Sequence, residues 1–144
     1  MTMTTLGSNV DADRLVAEHF ERELRGDVTA VVATFSPDVE HDVVGRPSVS
    51  RGRDEAGAFY EELFSDLALE DFENVRRYHG PGFVVDESIV HARATGTPFG
   101  IPGLDRPLQF RLLHVFELRD GYITRENAWL DVAAILAQLS SKPA

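Results

Sequence analysis

Hydrophobic residues recur with two different periods along the chain, and the change between them separates a helical part from a sheet part. The clearest helix has apolar side chains at i, i+3, i+4, i+7, i+8 and i+11, namely Ala56, Phe59, Tyr60, Leu63, Phe64 and Leu67. A first helix is predicted from the N-cap candidate Asp11 to Gly26, and a second from Asp27 to Ser36-Pro37. Residues 39–44 form a short strand candidate.

After the third helix the apolar positions alternate, which is the period of a strand with one buried face. Strands are predicted near residues 71–78, 83–95, 110–119 and 122–130, with turns at Gly80-Pro81-Gly82 and Asp120-Gly121. Asp131 is expected to cap a last helix with the apolar residues Val132, Ile135, Leu136 and Leu139. This order predicts an α+β fold in which a curved antiparallel sheet wraps around helices.

His114 interrupts the apolar face of one predicted strand. Phe110, Leu112, Phe116 and Leu118 alternate with polar or mixed positions and share their face with this histidine. An imidazole in an interior needs a hydrogen-bond partner or a ligand, and histidine changes its charge near neutral pH. The position is therefore either a satisfied core histidine or part of a functional site.

Length and charge restrict the class of protein. The 144 residues suit one domain, predicted over residues 11–140 after a polar, disordered lead at 1–10. The 14 basic and 24 acidic residues give a net charge of −10, which disfavours nucleic acid and anionic membranes as partners. There is no cysteine, and no apolar run approaches the length of a membrane span. With no secretion signal at the N-terminus, a cytoplasmic protein is expected.

Several short segments, in their order and spacing, carry a family resemblance. They are Gly26-Asp27, residues 38–45, residues 52–60, Gly96-Thr97 and residues 114–123. Together they resemble the ketosteroid isomerase and SnoaL-like polyketide cyclase branch of the NTF2-like proteins. The resemblance implies a cone-shaped, cystatin-like fold with an internal cavity, and it implies a homodimer. It is less specific for a reaction, since one fold hosts many activities.

The resemblance also assigns roles to individual residues. Asp42 matches the general-base aspartate of ketosteroid isomerases, and His114 and His19 match the acid and the tyrosine of their oxyanion hole. Tyr60 matches a tyrosine that supports the hole. Because histidines replace both oxyanion donors, the substrate is not expected to be a steroid. The acidic residue of SnoaL-like cyclases falls at Ala128, so that assignment is not met.

The turn at Asp120-Gly121 decides which residues share the face of His114. A two-residue primed turn places Asn127 opposite His114, with Trp129 and Asp131 on the same face. A type I turn with Gly121 as a bulge residue instead places Glu126 opposite His114. We favour the second register because it leaves Asp131 free to cap the last helix. The expected substrate-facing residues are then Tyr60, Phe110, Leu112, Phe116 and Leu130, with Glu126 as the partner of His114.

Other polar residues are assigned to the surface. His41, His79 and Arg76-Arg77 are expected to be exposed, and His91 lies on a polar strand face. No spacing among His19, Asp42, His114 and Glu126 resembles a metal-ligand motif, so no metal is expected. The loop at residues 96–107 carries apolar side chains, which suit either a cover for a cavity mouth or a dimer contact.

These residues suggest a cofactor-independent acid/base enzyme for a small apolar carbonyl compound, polyketide-like or terpenoid-like. Asp42 would remove a proton α to the carbonyl, and His114 and His19 would donate to the enolate oxygen. Glu126 would orient His114, and isomerisation or cyclisation would follow. Two alternatives remain: an epoxide-opening hydrolase of the same fold, and a non-catalytic protein that binds small molecules.

Overall fold

The computed structural model describes residues 9–141, and its elements follow the predicted order. The helices are α1 (Asn9–Leu24), α2 (Val28–Val32), α3 (Gly52–Asp66) and α4 (Val132–Ser140). The strands are β1 (Phe35–Val43), β2 (Ser50–Arg51), β3 (Ala68–Gly80), β4 (Phe83–Ala94), β5 (Arg106–Arg119) and β6 (Tyr122–Leu130). Most of the predicted disordered lead, residues 1–8, lies outside the described range, whereas residues 9 and 10 already belong to α1.

Six strands form one curved sheet in the order β2-β1-β6-β5-β4-β3. The α+β prediction is confirmed, but the sheet is not wholly antiparallel, because β1 and β6 run parallel. Parallel neighbours need a long connection between them. Here that connection contains α3 and the three strands β3, β4 and β5, which carry the chain across the sheet and back to β1.

β1 differs most from its prediction. It begins at Phe35, four residues before the predicted strand, and Pro37 lies inside it. Proline is tolerated in a strand where ladder pairing is broken, and the pairing of β1 with β6 shifts between Phe35 and Glu40. Phe35, Val39 and His41 are all buried and lie on one face of the strand, so the inward face of β1 carries a histidine.

The β5–β6 hairpin combines features of both expected registers. Asp120 and Gly121 have φ of 55° and 80°, and Arg119 pairs with Tyr122, as in a two-residue primed turn. The expected type I turn is therefore wrong. An extra residue, Thr124, then lies in β6 where β5 passes directly from Leu118 to Glu117. The favoured register is wrong as well, because His114 pairs with Ala128, and Glu126 pairs with Phe116. The expected face is nevertheless present, since Glu126, Ala128 and Leu130 share the inward face with His114.

Two buried clusters on the concave face of the sheet form the core. One lies under α1, α2 and α3 and includes Val16, Phe20, Phe35, Val84 and Phe116. The other lies toward α4 and includes Leu67, Val90, Phe110, Leu112 and Ile135. Removal of such side chains from water is the main driving force for folding, about 1.5 to 3 kcal/mol for each large residue.

Aspartates cap two of the helices, and one of them, Asp131, is a predicted cap. The carboxylate of Asp27 accepts a hydrogen bond from the Ala30 amide at the start of α2, and that of Asp131 accepts one from the Ala134 amide at the start of α4. Asp11 lies in the first turn of α1 instead of capping it, because that helix begins at Asn9. None of the helices between residues 9 and 141 combines the length and apolar character that a bilayer crossing demands.

Candidate active site

A cavity of about 360 Å³ lies between the concave face of the sheet and helices α3 and α4. Its walls are mostly apolar and include Leu63, Phe72, Phe110, Leu112, Leu130 and Ile135. Polar lining residues are fewer, and five of them are buried: Glu23, His41, Tyr60, His114 and Glu126. An apolar cavity with a few convergent polar groups is typical of a site for a small molecule.

Glu126 is the centre of the polar group. Its Oε2 accepts a hydrogen bond from the Tyr60 hydroxyl at 3.2 Å and lies 3.2 Å from Nε2 of His41 and 3.4 Å from Nε2 of His114. Its other oxygen, Oε1, lies 2.9 Å from Nε2 of His19. Three histidines and a tyrosine, from α1, β1, β5 and α3, therefore surround one carboxylate that is 2 % exposed.

These contacts keep Glu126 ionised. Burial by itself raises the pKa of the carboxyl group, but attraction to His19 and His41 and hydrogen bonding to His114 and His19 hold the pKa well below its ordinary value of 4.5. Burial and the charge of Glu126 have the opposite effect on Tyr60 and raise the pKa of its hydroxyl well above 10.0. The tyrosine is therefore a neutral proton donor.

His19 lies behind the cavity wall and is fully buried. Its Nδ1 is 2.9 Å from the Thr34 hydroxyl, and its Nε2 is 3.2 Å from Oε2 of Glu23 in addition to its contact with Glu126. Burial lowers the pKa of His19, but the charges of Glu126 and Glu23 outweigh burial and raise the pKa to about 10. His19 therefore acts on the site through Glu126.

The structure brings together most of the residues that the sequence indicated. Tyr60, His114 and Glu126 line the cavity, as do the apolar residues Phe110, Leu112 and Leu130. Phe116 does not line it; its ring stacks on the His114 ring with centroids 4.9 Å apart and supports that ring from the core.

Asp42 lies on the other face of the sheet. Side chains alternate along β1, and because His41 points inward, Asp42 and Glu40 point outward. There Asp42 accepts a hydrogen bond from Asn127 at 3.2 Å and lies 3.4 Å from Arg125. Arg125 also pairs with Glu40 at 2.8 Å, so an arginine between two carboxylates exists, but it is outside the cavity. The expected base, Asp42, therefore lies outside the cavity.

Sequence reasoning missed two residues of the site. His41 was assigned to the surface, which is wrong: it is 2 % exposed, and its Nε2 is hydrogen-bonded to the Tyr60 hydroxyl at 3.1 Å. The alternation of Val39, His41 and Val43 contains the signal. Glu23 falls at i+7 from Val16 and i+4 from His19, on the apolar stripe of α1, and this spacing could have identified it as buried.

The loop at residues 96–107 contributes two residues, Pro98 and Phe99, to the lining of the cavity. Phe99 is 56 % exposed and has a left-handed φ of 56°. Gly96 fits tightly against α3, where a Cβ atom would lie 2.3 Å from the Ser65 carbonyl oxygen. The loop therefore adjoins the cavity.

No group of three or more His, Cys, Asp or Glu side chains within residues 9–141 is arranged to hold a metal ion. The groups that converge on Glu126 are joined by hydrogen bonds and ion pairs, an arrangement suited to acid/base chemistry.

Comparisons with known proteins agree with this geometry. The family model described as "SnoaL-like domain" matches residues 16–126, most of the chain. A structure from Jannaschia sp. CCS1, provisionally assigned as a SnoaL-like polyketide cyclase, is 19 % identical with a TM-score of 0.82, over 93 % of this chain and 94 % of that one. No curated protein sequence is significantly similar to this chain.

Two further structures show the range of activities among proteins with this fold. One from Xanthomonas campestris pv. campestris, provisionally assigned as a polyketide cyclase, is 26 % identical with a TM-score of 0.77, over 90 % of this chain and 97 % of that one. An LEH-like epoxide hydrolase of M. tuberculosis is 21 % identical with a TM-score of 0.71, over 90 % of each chain. The fold is shared, whereas the reactions assigned to these proteins differ.

Proposed function

This chain belongs to the SnoaL-like domain family, and from that premise we propose that it is a cofactor-independent acid/base enzyme for a small apolar carbonyl compound, polyketide-like or terpenoid-like. The reaction is isomerisation or cyclisation through an enolate. One observation carries the proposal: two cavity-lining histidines, His41 and His114, converge on the same oxygen of one buried, ionised carboxylate. Such a set of titratable groups in an apolar cavity is costly unless it is used.

His114 is the general base in this proposal. It takes up the proton α to the carbonyl, and Glu126, 3.4 Å from Nε2, stabilises the imidazolium that forms. The same ring returns the proton to another carbon in an isomerisation. Alternatively, the carbanion attacks a second carbonyl carbon, so that a C–C bond closes the ring, the C=O π bond breaks and the imidazolium protonates the resulting alkoxide. The role that the sequence suggested for Asp42 thus passes to a histidine–glutamate pair.

Tyr60 and His41 are the donors to the enolate oxygen. The Tyr60 hydroxyl has one proton and donates it to Glu126, so it accepts from Nε2–H of His41. When a ligand oxygen replaces Glu126 as the acceptor, the same hydroxyl donates to the developing negative charge. Donors placed before charge develops are among the largest contributions to catalysis.

The cavity also indicates the class of substrate. Its aromatic and aliphatic walls favour an apolar ligand, while the carboxylates of Glu23 and Glu126 at the polar end repel another carboxylate. A neutral ketone or diketone suits both parts of the cavity.

A homodimer is part of the same proposal. A row of half-buried or exposed apolar side chains crosses four strands on the outer face of the sheet: Tyr78, Val85, Leu113, Val115 and Trp129. A contiguous apolar patch of this kind is typical of a protein interface.

Proton exchange at an enolisable ketone tests the catalytic proposal. In deuterium oxide, with a β,γ-unsaturated cyclohexenone as the probe, the protein should incorporate deuterium at the α carbon and generate the conjugated enone. We expect His114→Gln to lower this rate by about 10² to 10⁴-fold. Ala128→Leu, which fills the cavity next to His114, should lower it as well, because Ala128 is 4 % exposed and lines the cavity.

Two matched variants complete the test. Ala58→Leu is the same substitution at an exposed position of α3 and should leave the rate unchanged. Asp42→Asn tests whether the base is Asp42, as the sequence suggested, or His114, as proposed here. We expect its exchange rate to be near that of the wild type. Exchange that is as fast in His114→Gln as in the wild type, or no faster than in buffer, would contradict the proposal and favour a binding protein.

A further inference from the structure

Thr34 determines the protonation of one nitrogen of His19. The Thr34 hydroxyl donates its only proton to the carbonyl oxygen of Val31 at 2.6 Å. It can therefore only accept from His19, whose Nδ1 lies 2.9 Å away. Nδ1 of His19 must carry a proton, and the neutral tautomer with a bare Nδ1 is excluded by the hydrogen bonds of the threonine.

The other nitrogen of His19 faces two carboxylates. Nε2 lies 2.9 Å from Oε1 of Glu126 and 3.2 Å from Oε2 of Glu23, so both carboxylates are within ion-pair distance of it. A neutral ring protonated at Nδ1 would direct the lone pair of Nε2 at both oxygens. Such a repulsion in a fully buried place is costly, so Nε2 carries a proton too.

Within residues 9–141, the carboxylates at ion-pair distance from His19 are those of Glu23 and Glu126. Its ring also contacts the aromatic rings of Phe20, Phe35, Tyr60 and Phe116. Of these only Tyr60 titrates, and its hydroxyl donates to the other oxygen of Glu126. His41 and His114 approach the same carboxylate at Oε2.

We infer that His19 is an imidazolium at neutral pH and that it acts as a positioning residue for Glu126. It occupies Oε1 and holds the carboxylate ionised, so that Oε2 is the oxygen that serves His41, His114 and Tyr60. The positioning role rests on the proposed function, in which a charged Glu126 is the partner of the catalytic histidine. His19 explains how Glu126 stays charged in apolar surroundings. The protonation of His19 itself is independent of any activity.

Nitrogen NMR of the histidine side chains tests the inference directly. In ¹⁵N-labelled wild-type protein, one of the five histidines should show two protonated ring nitrogens from neutral pH to about pH 9. The His19→Gln spectrum assigns that signal by its loss. A His19 ring with one bare nitrogen at neutral pH would overturn the inference.

A second variant tests how the charge is held. Thr34→Val keeps the shape of the side chain and removes the acceptor of Nδ1–H, so the NMR titration midpoint of His19 should shift to lower pH. The alkaline limb of the pH profile for deuterium exchange should shift with it, which a merely structural role would not cause. Thr29→Val, an exposed threonine in α2, is the matched control and should move neither.

The outcomes separate this inference from the proposed function. If His19 is doubly protonated but no ketone exchanges, the proposed function fails and the assignment of His19 stands. If ketones exchange and the midpoint of His19 is the same in Thr34→Val as in the wild type, the positioning role fails and the proposed function stands.

Discussion

At the scale of single residues, burial and neighbours give the same side chain different roles. His19, His41 and His114 are buried around Glu126, whereas His79 and His91 form partly exposed ion pairs with Asp13 and Glu73. Histidine takes its charge from such surroundings more readily than any other side chain. These surroundings also affect stability, because a shifted pKa is a change in the free energy of folding.

We predict that stability is greatest in mildly acidic solution. The raised pKa of His19 stabilises the folded state fully below its unfolded value of 6.5, and this contribution is lost as pH rises toward about 10. The lowered pKa of Glu126 contributes fully above its unfolded value of 4.5 and is lost as pH falls below it. Urea unfolding across this range should therefore give the highest free energy of unfolding between these two values.

The contribution of His19 to stability is obtained by comparing His19→Gln with the wild type. The difference in unfolding free energy between His19→Gln and the wild type should shrink as pH rises from 6.5 toward 10. Over this range the wild type loses the stabilisation from the charged His19, which the variant lacks at every pH. His91→Gln removes a histidine from the outer face of the sheet and should leave the wild-type dependence intact. A constant difference between His19→Gln and the wild type would show that His19 is not charged in the folded protein.

At the scale of elements, a polar network attaches α1 to strands β3 and β4. Asp86 of β4 is fully buried and receives hydrogen bonds from Asn74, Arg77 and Ser88. Arg77 also contacts Asp13 of α1 at 3.0 Å. This network holds the helix that carries His19 and Glu23 against the sheet, so it supports the site without being part of it.

We predict that Arg77→Met destabilises the protein by about 3 kcal/mol, since it leaves the Asp86 carboxylate buried without its cation. Urea denaturation measures the effect. Arg76→Met removes the neighbouring exposed arginine and should change stability by no more than about 0.5 kcal/mol.

A double variant identifies the cause of that loss. Asp86→Asn in the Arg77→Met background removes the stranded charge, so it should recover part of the lost stability. If Arg77→Met and Arg76→Met were equally stable, the unpaired Asp86 carboxylate would not be destabilising. If Asp86→Asn lowered the stability of Arg77→Met further, that charge would not be the cause of the loss.

At the scale of the whole molecule, the sheet separates two surfaces with different tasks. Its concave face forms the cavity, and its outer face carries the apolar row that includes Leu113 and Trp129, which pair across β5 and β6 and are 38 % and 41 % exposed. Ion pairs flank the row, with Arg111 on Glu87 and Arg125 on Asp42. The outer face therefore offers an apolar centre with a charged rim, as interfaces commonly do.

We predict that a homodimer forms through this face and that Trp129→Glu converts it to a monomer, because a charge would be buried in the apolar centre. Light scattering coupled to size-exclusion chromatography measures the mass. Leu104→Glu, at a 66 % exposed position in the loop beside the cavity mouth, should stay dimeric. If Leu104→Glu were monomeric and Trp129→Glu dimeric, the interface would lie at that loop. A monomeric wild type would exclude an interface at either place.

Local pattern by itself determined much of this protein. The helical spacing of α3, the alternation along β5 and the cap at Asp131 are properties of neighbouring residues, and the sequence alone predicts each of them. The burial of His114 follows from the same alternation. Helix and strand periods depend only on backbone geometry, which is why they can be identified from a sequence.

Only the tertiary structure decided which side chains meet. Glu126 reaches the cavity because Thr124 adds one residue to β6 and so reverses the face of the residues that follow it. No sequence period marks that extra residue. The five groups of the site come from five separate elements, so their convergence depends on sheet order and on the parallel pairing of β1 with β6.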